Sequence, residues 1–540
     1  MGDRFVIGAD FGSDSVRAVV LDVRDGAVAG EASAEYPRWN AGMYRHPEQY
    51  VFRQHPLDYI EAFEKCVKAA VKQLGNAAAG SVKAIGIDTT GSTPCPVDRE
   101  GIPLALKEPF AERESAMFYL WKDHSAAAEA WELQRIFSGF EGMDYTKYQG
   151  DYSSEWYWAK ILHGVRADPV IREHAYSWLE HSDWFPSLLC GNTRPERMYR
   201  CACGAGHKAL WHSRWNGLPP AECLAQADPY LAQVRETYGC PRPADVPAGI
   251  IDRGWAERLG LSGRVVIGGS SFDAHAGAVG AGIRPHVMVS NIGTSAVDML
   301  VERPGVLQGK PLRHVCGQAE DSIIPGLVGI ETGQAAFGDV YAWFRDLLLW
   351  PVKDLGEELY RGLEENLLGR LAAEAEQLQV SGSMPVALDW FNGRRYPHTD
   401  DSQTAAVSGL SLGSGAAQLY RSLVFGTICG LRRIVDELEN GGLEVKEIIA
   451  VGGIPRKSGF VMQSMANILS RPIKVSGSPQ TCAVGAAIYG AVGAGIYRSI
   501  PQAQECMCPG ILKEWKPQRE LAGAYEMYYH NYLKLANVKL

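Results

Sequence analysis

The stretch Val6–Val20, which reads VIGADFGSDSVRAVV, decides the fold. An apolar, β-branched run stops at a short polar segment around Gly12 and then resumes, which predicts two strands joined by a tight turn. Gly12 would let the backbone approach a ligand, and the hydroxyls of Ser13 and Ser15 with nearby N–H groups can hold phosphate oxygens. Asp10 ends the first strand, a position from which a carboxylate can hold hydrated Mg²⁺ beside a substrate's phosphates. Taken alone, the stretch also fits an ordinary hairpin with a turn rich in Asp, Gly and Ser.

A second copy of this pattern lies in the other half of the chain. Val289–Val301 reads VSNIGTSAVDMLV, with Gly293 followed by Thr294. The next strands also correspond, because VKAIGID at 82–88 resembles VKEIIAV at 445–451, and each runs into glycines or small hydroxyl residues. A duplicated α/β fold with a ligand between its halves is the simplest hypothesis.

The composition indicates a globular protein of more than one domain. The chain has 540 residues, of which 46% are hydrophobic and 21% charged. A net charge of −9 without a long basic run argues against a nucleic-acid partner. No apolar run reaches the ~20 residues that a membrane span needs. Asp3 and Arg4 lead straight into a core strand and the twelve cysteines are scattered, so we expect no N-terminal signal and a cytoplasmic protein.

Cys201 and Cys203, followed by His207, raise the question of a structural zinc site. The usual paired-cysteine spacing and a fourth ligand are missing, so the sequence does not favour one.

Three polar positions are candidate contacts for a polyhydroxylated substrate. Ser92 and Thr93 follow the strand at 82–88, and ligands of open α/β sheets gather beyond the carboxyl ends of strands. Plain turn chemistry explains these two residues equally well. Lys208 follows a Gly-rich segment, which predicts a turn, and precedes a predicted apolar helix. It can present a cation to a hydroxyl or phosphate, unless it is an ordinary solvated lysine.

Two acidic residues are placed where strands are predicted to end. Asp273 follows the strand at 265–269, at a strand-to-helix turn, and Glu331 follows the apolar stretch 323–330. Each could expose a carboxylate in a cleft, and each could equally be a helix cap or a surface acid.

Paired glycines mark a further ligand position. Gly452 and Gly453 end the apolar run IIAVGG, and a helix is predicted to follow, so an adenine or ribose could lie against backbone with the helix N-terminus adding partial positive charge. Later, the small-residue segment CAVGAAIY at 482–489 predicts a helix suited to close packing at a hinge between the halves.

These segments together resemble the FGGY family of carbohydrate kinases, which have the actin, hexokinase and heat-shock-chaperone ATPase fold. The matching segments, in order, are IGADFGSDSVR, GIDTTGST, SNIGTS, AVGGIPRKSGFVMQ and CAVGAAIYGAVGAG. The resemblance covers nearly the whole chain. It implies an α/β fold of two duplicated actin/hexokinase-like (ribonuclease H-like) domains, at 1–284 and 285–540, with a cleft between them.

Within the family, four segments resemble the L-ribulokinase group: EYPRW at 35–39, FRQHPLDY at 52–59, MFYLWKDH at 117–124 and GHKALWH at 206–212. The residues after the strand at 82–88 favour the same group. Glycerol kinases carry an Arg-Glu pair there and xylulokinases a Met-His pair, whereas this chain has GST at 91–93. The resemblance implies ATP-dependent phosphorylation of L-ribulose. D-ribulose, ribitol or xylulose remain alternative substrates, and an ATP-binding chaperone or filament is an alternative of another class.

The resemblance also implies roles for individual residues. Asp273 would be the catalytic base, Asp10 would hold Mg²⁺ through water with Asp273 nearby, and Arg17 would face the transferred phosphoryl group. Lys208 and Glu331, together with Asp273, resemble sugar contacts. The family usually has an Asn shortly after the paired glycines, whereas this chain has PRKS at 455–458. The implied ATP contacts are Asp10, Gly12, Ser13, Ser15, Arg17, Gly293, Thr294, Gly452, Gly453 and Lys457. A homodimer is a further expectation.

Overall fold

The computed structural model describes residues 4–538 except 76–78, 262–263, 308–310, 313–314, 396–399 and 401. Its strands in this part of the chain are β1 (Phe5–Phe11), β2 (Ser15–Asp22), β3 (Val28–Glu35), β4 (Arg45–His46), β5 (Val51–Gln54), β6 (Val82–Thr89), β7 (Pro94–Val97), β8 (Phe118–Tyr119), β9 (Ser177–Glu180), β10 (Gly249–Ile250), β11 (Val266–Phe272), β12 (Val287–Ile292), β13 (Ala296–Glu302), β14 (Gly317–Glu320), β15 (Val328–Gln334), β16 (Val386–Ala387), β17 (Val407–Ser408), β18 (Glu447–Val451), β19 (Ile473–Ser476) and β20 (Ile511–Trp515).

The helices of the same residues are α1 (Pro37–Asn40), α2 (Pro56–Lys72), α3 (Ala127–Phe137), α4 (Tyr157–Ala167), α5 (Pro169–His174), α6 (His181–Leu189), α7 (Ala202–Ala209), α8 (Ala221–Ala225), α9 (Pro229–Glu236), α10 (Arg253–Leu259), α11 (Asp273–Gly280), α12 (Pro304–Leu307), α13 (Gly338–Leu349), α14 (Glu357–Glu376), α15 (Ala416–Asn440), α16 (Gly453–Lys457), α17 (Gly459–Leu469), α18 (Thr481–Gly493), α19 (Ile500–Met507) and α20 (Ala522–Ala536). None of them is long and apolar enough to cross a membrane.

The first sheet grows from the predicted hairpin. Its described strands have the order β10-β11-β6-β1-β2-β3. β1 and β2 pair antiparallel with Asp10 opposite Arg17, while β6 lies parallel to β1 with Asp88 level with Asp10. β11 is parallel to β6 on its other side. The apolar face of α2, whose buried residues recur at helical spacing, covers one face of this sheet.

The second sheet repeats this path, which confirms the predicted duplication. Its described strands have the order β14-β15-β13-β12-β18-β19-β20, so β12, β13, β15, β18 and β19 correspond to β1, β2, β3, β6 and β11. In its hairpin, Asn291 lies opposite Val297, where the first hairpin has Asp10 opposite Arg17. The scaffold is duplicated but this pair of charges is not. The predicted boundary between residues 284 and 285 lies in the loop between α11 and β12 and stays a prediction.

Glycines let α18, which comes from the second half of the chain, rest on the first sheet. A Cβ added at Gly86 would lie 2.5 Å from the carbonyl carbon of Ala486, and one at Gly8 would lie 2.7 Å from that of Ala483. Real Cβ atoms essentially never come this close, so the helix backbone can touch the sheet only because these residues lack a side chain. The predicted close-packed helix at 482–489 is confirmed.

Helix α7 lies between the two sheets, because it packs on β11 of the first and on β14 of the second. A Cβ added at Gly206 would lie 2.5 Å from Cβ of Ala319 in β14. The predicted turn before Lys208 is therefore wrong: residues 202–209 form a helix, and Lys208 lies in its last turn. The helix ends at Leu210, which has a left-handed backbone conformation with φ of 64°.

Candidate active site

Each hairpin turn is closed by a hydrogen bond from its glycine N–H, to the third residue on in the first turn and to the second residue on in the second. The Gly12 N–H donates to the Ser15 carbonyl at 3.0 Å, and the Gly293 N–H donates to the Ser295 carbonyl at 2.9 Å. Gly293 and Thr294 are exposed, whereas Gly12, Ser13 and Ser15 are half-buried. A Cβ at Gly293 would meet nothing within 4 Å, so the second turn is open on its outer side. Both turns present backbone that phosphate oxygens can approach.

Side chains from distant parts of the sequence hold the first turn in place. The Trp121 indole N–H donates to Ser13 Oγ at 2.9 Å, and the Gln54 amide donates to the Ser13 carbonyl at 2.6 Å. The Trp39 indole N–H donates to Asp14 Oδ1 at 2.6 Å. These three donors fix the shape of the turn before any ligand arrives.

Three carboxylates converge at the carboxyl ends of neighbouring strands. Asp10 and Asp88 are level on β1 and β6, and Asp273 is the first residue of α11, directly after β11. Asp88 is fully buried, and no N–H or hydroxyl group of the described residues donates to its carboxylate oxygens, which have only the Asp10 carboxyl within hydrogen-bond reach. Cys482, in the first turn of α18, lies close enough for all three carboxylates to raise the pKa of its buried thiol. The N-terminus of α18 thus faces the cluster with its partial positive charge.

Burial raises the pKa of each of these acids, and repulsion between them adds to the rise for Asp88 and Asp273. Burial raises the pKa of Asp273 to about 7, and the Asp10 charge adds to this effect. The pKa of Asp88 is well above its usual value because of burial and of the charges on Asp10 and Asp273. Burial also raises the pKa of Asp10, although Arg17, whose Nη1 lies 3.6 Å from Asp10 Oδ2, opposes the shift. Three crowded acids of this kind need protons or cations to be stable.

Arg17 is the one predicted cation beside this cluster. It lies opposite Asp10 across the hairpin, so both side chains leave the same face of the sheet. Half of its side-chain surface is exposed, so its remaining N–H groups are free to reach an anion in the cleft.

A second charged group lies between the two sheets. Lys208 Nζ is 3.5 Å from Oε2 of Glu331, and His275 Nε2 is also 3.5 Å from that oxygen. Burial alone would lower the pKa of Lys208, but the charges of Glu331 and Glu155, with smaller effects of Cys316 and Cys203, together outweigh burial and the net pKa is raised. Burial alone would raise the pKa of Glu331, but Lys208 and His275 make it lower. Both residues are therefore charged in a nearly dry site.

The position predicted for Glu331 is corrected by the structure. Glu331 does not follow a strand but lies inside β15, where it pairs with Gly317 of β14 and Met299 of β13. Lys208 is likewise not a solvated surface lysine, since it is only 5% exposed.

Ser92 and Thr93 are fully buried and their polar groups are already paired. The Ser92 hydroxyl donates to Glu180, whose other carboxylate oxygen accepts the Thr93 backbone N–H at 2.7 Å. The Lys160 ammonium donates to the Ser92 carbonyl at 2.8 Å. Burial raises the pKa of Glu180 and lowers that of Lys160, each to about 7. Substrate contacts by the two hydroxyls stay a prediction, and their burial does not favour it.

The paired glycines lie against the second hairpin. Gly452 has a φ of 100°, and a Cβ there would come within 2.5 Å of the Ile292 carbonyl oxygen. Only glycine readily adopts this φ and has no Cβ to collide with the Ile292 carbonyl. Gly453 begins α16 in open space, and Lys457 ends that helix with an exposed side chain. Gly293, Thr294, Gly452 and Gly453 thus border one region of the cleft.

Known proteins are similar to this chain along nearly its whole length. Residues 288–494 match the C-terminal domain model of the FGGY family of carbohydrate kinases. Ribulokinase of Vibrio parahaemolyticus is 38% identical over 538 residues, which are 98% of this chain and 95% of that protein. The chain belongs to the FGGY family of carbohydrate kinases. Ribulokinase of Shouchella clausii is 34% identical over 551 residues, covering 98% of this chain and 94% of that protein. The solved xylulose kinase of Rhodospirillum rubrum has a TM-score of 0.80 at 20% identity over 98% of both chains, which shows the shared fold.

This FGGY kinase uses ATP and a sugar, and several residues at its cleft were not among the predicted contacts. Asp88 was missed, although it ends the strand that matches the repeat and a strand-ending acid was the signal that identified Asp10. Trp121 and Gln54 gave no sequence signal, because only the fold brings them to the turn. His275 was also missed. It is the third residue of α11, two residues after Asp273, and its Nε2 lies 3.5 Å from Oε2 of Glu331.

Proposed function

We propose that the chain phosphorylates L-ribulose at its terminal hydroxyl, with ATP as the phosphoryl donor and L-ribulose 5-phosphate as the product. The observation that carries this proposal is the buried Lys208–Glu331 pair, which lies between the sheets on the same side as Asp273. The names of the curated relatives, which are ribulokinases over nearly their whole length, support the same substrate.

Asp273 serves as the general base in this proposal. Its Oδ1 already accepts the Ala274 N–H at 2.7 Å, so its other oxygen is free to take the proton of the attacking hydroxyl. A pKa of about 7 makes the carboxylate a stronger base than an exposed aspartate. As the sugar oxygen forms its bond to the γ-phosphorus, the bond from that phosphorus to the bridging oxygen of ADP breaks and the proton passes to Asp273.

The three carboxylates fit a magnesium ion bound with the nucleotide. Asp88 carries two buried oxygens to which no N–H or hydroxyl group of the described residues donates, and Mg²⁺ favours carboxylates, water and phosphate oxygens as ligands. Asp10 would hold the ion through water, with Asp88 and Asp273 beside it. When bound, the ion neutralises charge on the phosphates. Arg17 adds a second positive charge from the exposed side of the hairpin.

The nucleotide lies between the two hairpins in this proposal. Gly12, Ser13 and Ser15 contact phosphates from the first half of the chain, and Gly293 and Thr294 from the second. Gly452 and Gly453 border the adenosine, with Lys457 exposed nearby. Closure of the two halves over the ligands would exclude water and suppress hydrolysis of ATP without sugar.

Lys208 and Glu331 hold hydroxyls of the sugar. The ammonium can only donate and the carboxylate can only accept, so together they recognise the direction of a pair of hydroxyl groups. Because both charges are largely removed from water, a sugar that leaves one of them unpaired is bound much less well.

The experiment is ADP release with Mg-ATP across L-ribulose, D-ribulose, L-xylulose, D-xylulose, ribitol and glycerol, reported as kcat/KM. We expect L-ribulose to lead or to share the lead with D-ribulose. A lead for glycerol or D-xylulose would overturn the assigned sugar contacts. Turnover that no sugar stimulates would favour an ATP-binding protein of another class.

A homodimer and a cytoplasmic location are further parts of the proposal. Exposed apolar side chains on and just after α13 (Trp343, Leu347 and Trp350) support a subunit contact, which light scattering tests. All twelve cysteines are free thiols, which suits a reducing compartment.

A further inference from the structure

A cluster of metal-ligating side chains lies beside the Lys208–Glu331 pair and has no part in the proposed reaction. Cys203 and His207 stand four residues apart on α7, so they share one face of the helix. His275 reaches them from α11. One ligand atom from each of the three residues lies within 4.8 Å of the other two.

These side chains are buried with few of the hydrogen bonds that burial demands. Cys203 is 2% exposed, His275 1%, and His207 not at all. Nδ1 of His207 has no hydrogen-bond partner among the described residues, and the ring nitrogens of His275 have only the Cys203 thiol and, at 3.5 Å, the Glu331 carboxylate beside them. Buried nitrogens almost always have a partner, so this arrangement needs an explanation.

The chemistry of the set points to one class of ligand. Thiolate and imidazole together suit Zn²⁺ and similar divalent transition metals, whereas Mg²⁺ prefers oxygen ligands. Water could complete a four-ligand set, since the nearby Glu331, whose Oε2 lies 3.5 Å from His275 Nε2, already pairs with Lys208. On the outer side, His207 Nε2 lies 3.1 Å from the Ser322 hydroxyl, the kind of hydrogen bond that orients a ligating histidine.

We propose that Cys203, His207 and His275 form a site for a zinc-class transition-metal ion. This site is distinct from the carboxylate cluster, since its ligands are sulfur and nitrogen and come from α7 and from the third residue of α11. The sequence alone did not favour a zinc site, because only Cys201, Cys203 and His207 lie close together along the chain. In the structure the third ligand is His275, and Cys201 is not part of the cluster. The Cys201 thiol instead donates to the Ser270 carbonyl at 3.1 Å.

The ion would tie α7 to α11 and so set the spacing between Lys208 and Asp273. This positioning role rests on the proposed function, because it matters only if those two residues bind and activate the sugar. The metal site does not rest on it, and its test uses neither sugar nor ATP.

The test begins with metal binding by the full chain. Chelator-treated protein is incubated with Zn²⁺ in excess Mg²⁺, desalted and analysed for metal by mass spectrometry. We expect about one zinc per chain in the wild type and in Cys201→Ala, and less than about a tenth of that in Cys203→Ala and His207→Gln. Asp273→Asn should keep its zinc, which separates this site from the magnesium cluster.

Cobalt gives a readout of the ligands themselves. Co²⁺ in place of Zn²⁺ should produce a thiolate-to-cobalt charge-transfer band in the wild type and in Cys201→Ala, and none in Cys203→Ala. If Cys203→Ala fails to fold, as judged by circular dichroism, the site is tested by the cobalt band of the wild type and by the zinc content of the His207→Gln variant. A wild type that retains no zinc and shows no band would overturn the site and leave a thiol–imidazole pair. Equal retention in Cys203→Ala would also overturn it.

Discussion

Replacing Gly86 by alanine tests the contact between α18 and the first sheet. The new Cβ would lie 2.5 Å from the Ala486 carbonyl carbon, whereas carbon atoms pack at about 3.5–4.0 Å. The Ala486 carbonyl oxygen would be closer still, so relief of the clash requires the helix or the strand to move by at least about 1 Å. Forcing an extra carbon into a packed interior costs about 1–3 kcal/mol of the free energy of unfolding. For a domain of this size that loss lowers Tm by roughly 2–12 °C.

The same movement should reduce activity even where the protein remains folded. The first turn of α18 faces Asp10, Asp88 and Asp273, so a shift of about 1 Å moves the floor of the proposed phosphate site. Misplacement on this scale can cost about 10²-fold in rate. The assays are thermal unfolding followed by circular dichroism, and ADP release with L-ribulose well below the lowered Tm.

Gly362→Ala is the matched control. Gly362 lies inside α14, and a Cβ there would meet nothing within 4 Å. Alanine is the better helix former, so this control should raise the free energy of unfolding by about 0.5–1 kcal/mol and leave activity unchanged. If Gly86→Ala unfolds within about 1 °C of the wild type and retains full activity, α18 does not rest on β6 as described.

Four further predictions concern the site. Asp273→Asn should lower kcat by at least ~10²-fold while ATP still binds, because the variant keeps the shape of the side chain but cannot accept the proton. Lys208→Ala should raise KM for the sugar by ~10-fold or more and leave KM for ATP within about twofold, since only the sugar loses a charged hydrogen bond. The kcat/KM for the sugar should fall as pH drops through about 7 or just below, because Asp273 must be deprotonated to act and its pKa is raised to about 7. Asp88→Asn should raise the Mg²⁺ concentration for half-maximal activity by about 10- to 100-fold.

Each of these has a clear contrary outcome. Near-normal turnover by Asp273→Asn would exclude it as the base, and equal changes in both KM values would remove Lys208 from the sugar site. A pH profile that stays flat down to pH values well below 7, or that is unchanged in Asp273→Asn, would mean that another group limits the rate. An unaltered Mg²⁺ dependence in Asp88→Asn would leave its buried oxygens without a role.

The parts of the fold that rest on local pattern could be predicted from the sequence. The two hairpins, their strands and the small-residue helix α18 each follow from periodicity and from glycine within a short window. The duplication could also be seen, because the same short patterns return in the same order. Asp10 and Asp273 were identified because each lies within or directly beside such a segment, whereas Arg17 followed only from the family resemblance.

The remaining features depend on contacts between distant residues. Gly204 and Gly206 favour a turn locally, but Gly206 instead lets α7 pack against Ala319, and this packing outweighs the low helix propensity of glycine. The strand position of Glu331 follows from pairing with β13 and β14. The two donors that fix Ser13, Gln54 and Trp121, are 41 and 108 residues away along the chain. No local pattern carries that information.

The packing of α18 on the first sheet also determines when this sheet can reach its native state during synthesis. β1, β6 and β11 are complete by residue 272, but the helix that covers their glycine-lined face spans residues 481–493. At about 5–20 residues per second, the ribosome needs roughly 10–40 s to make the intervening segment. During that interval the face of the nascent sheet that later contacts α18 lacks its native partner. The first half of the protein therefore reaches its native state only after most of the second half has been made.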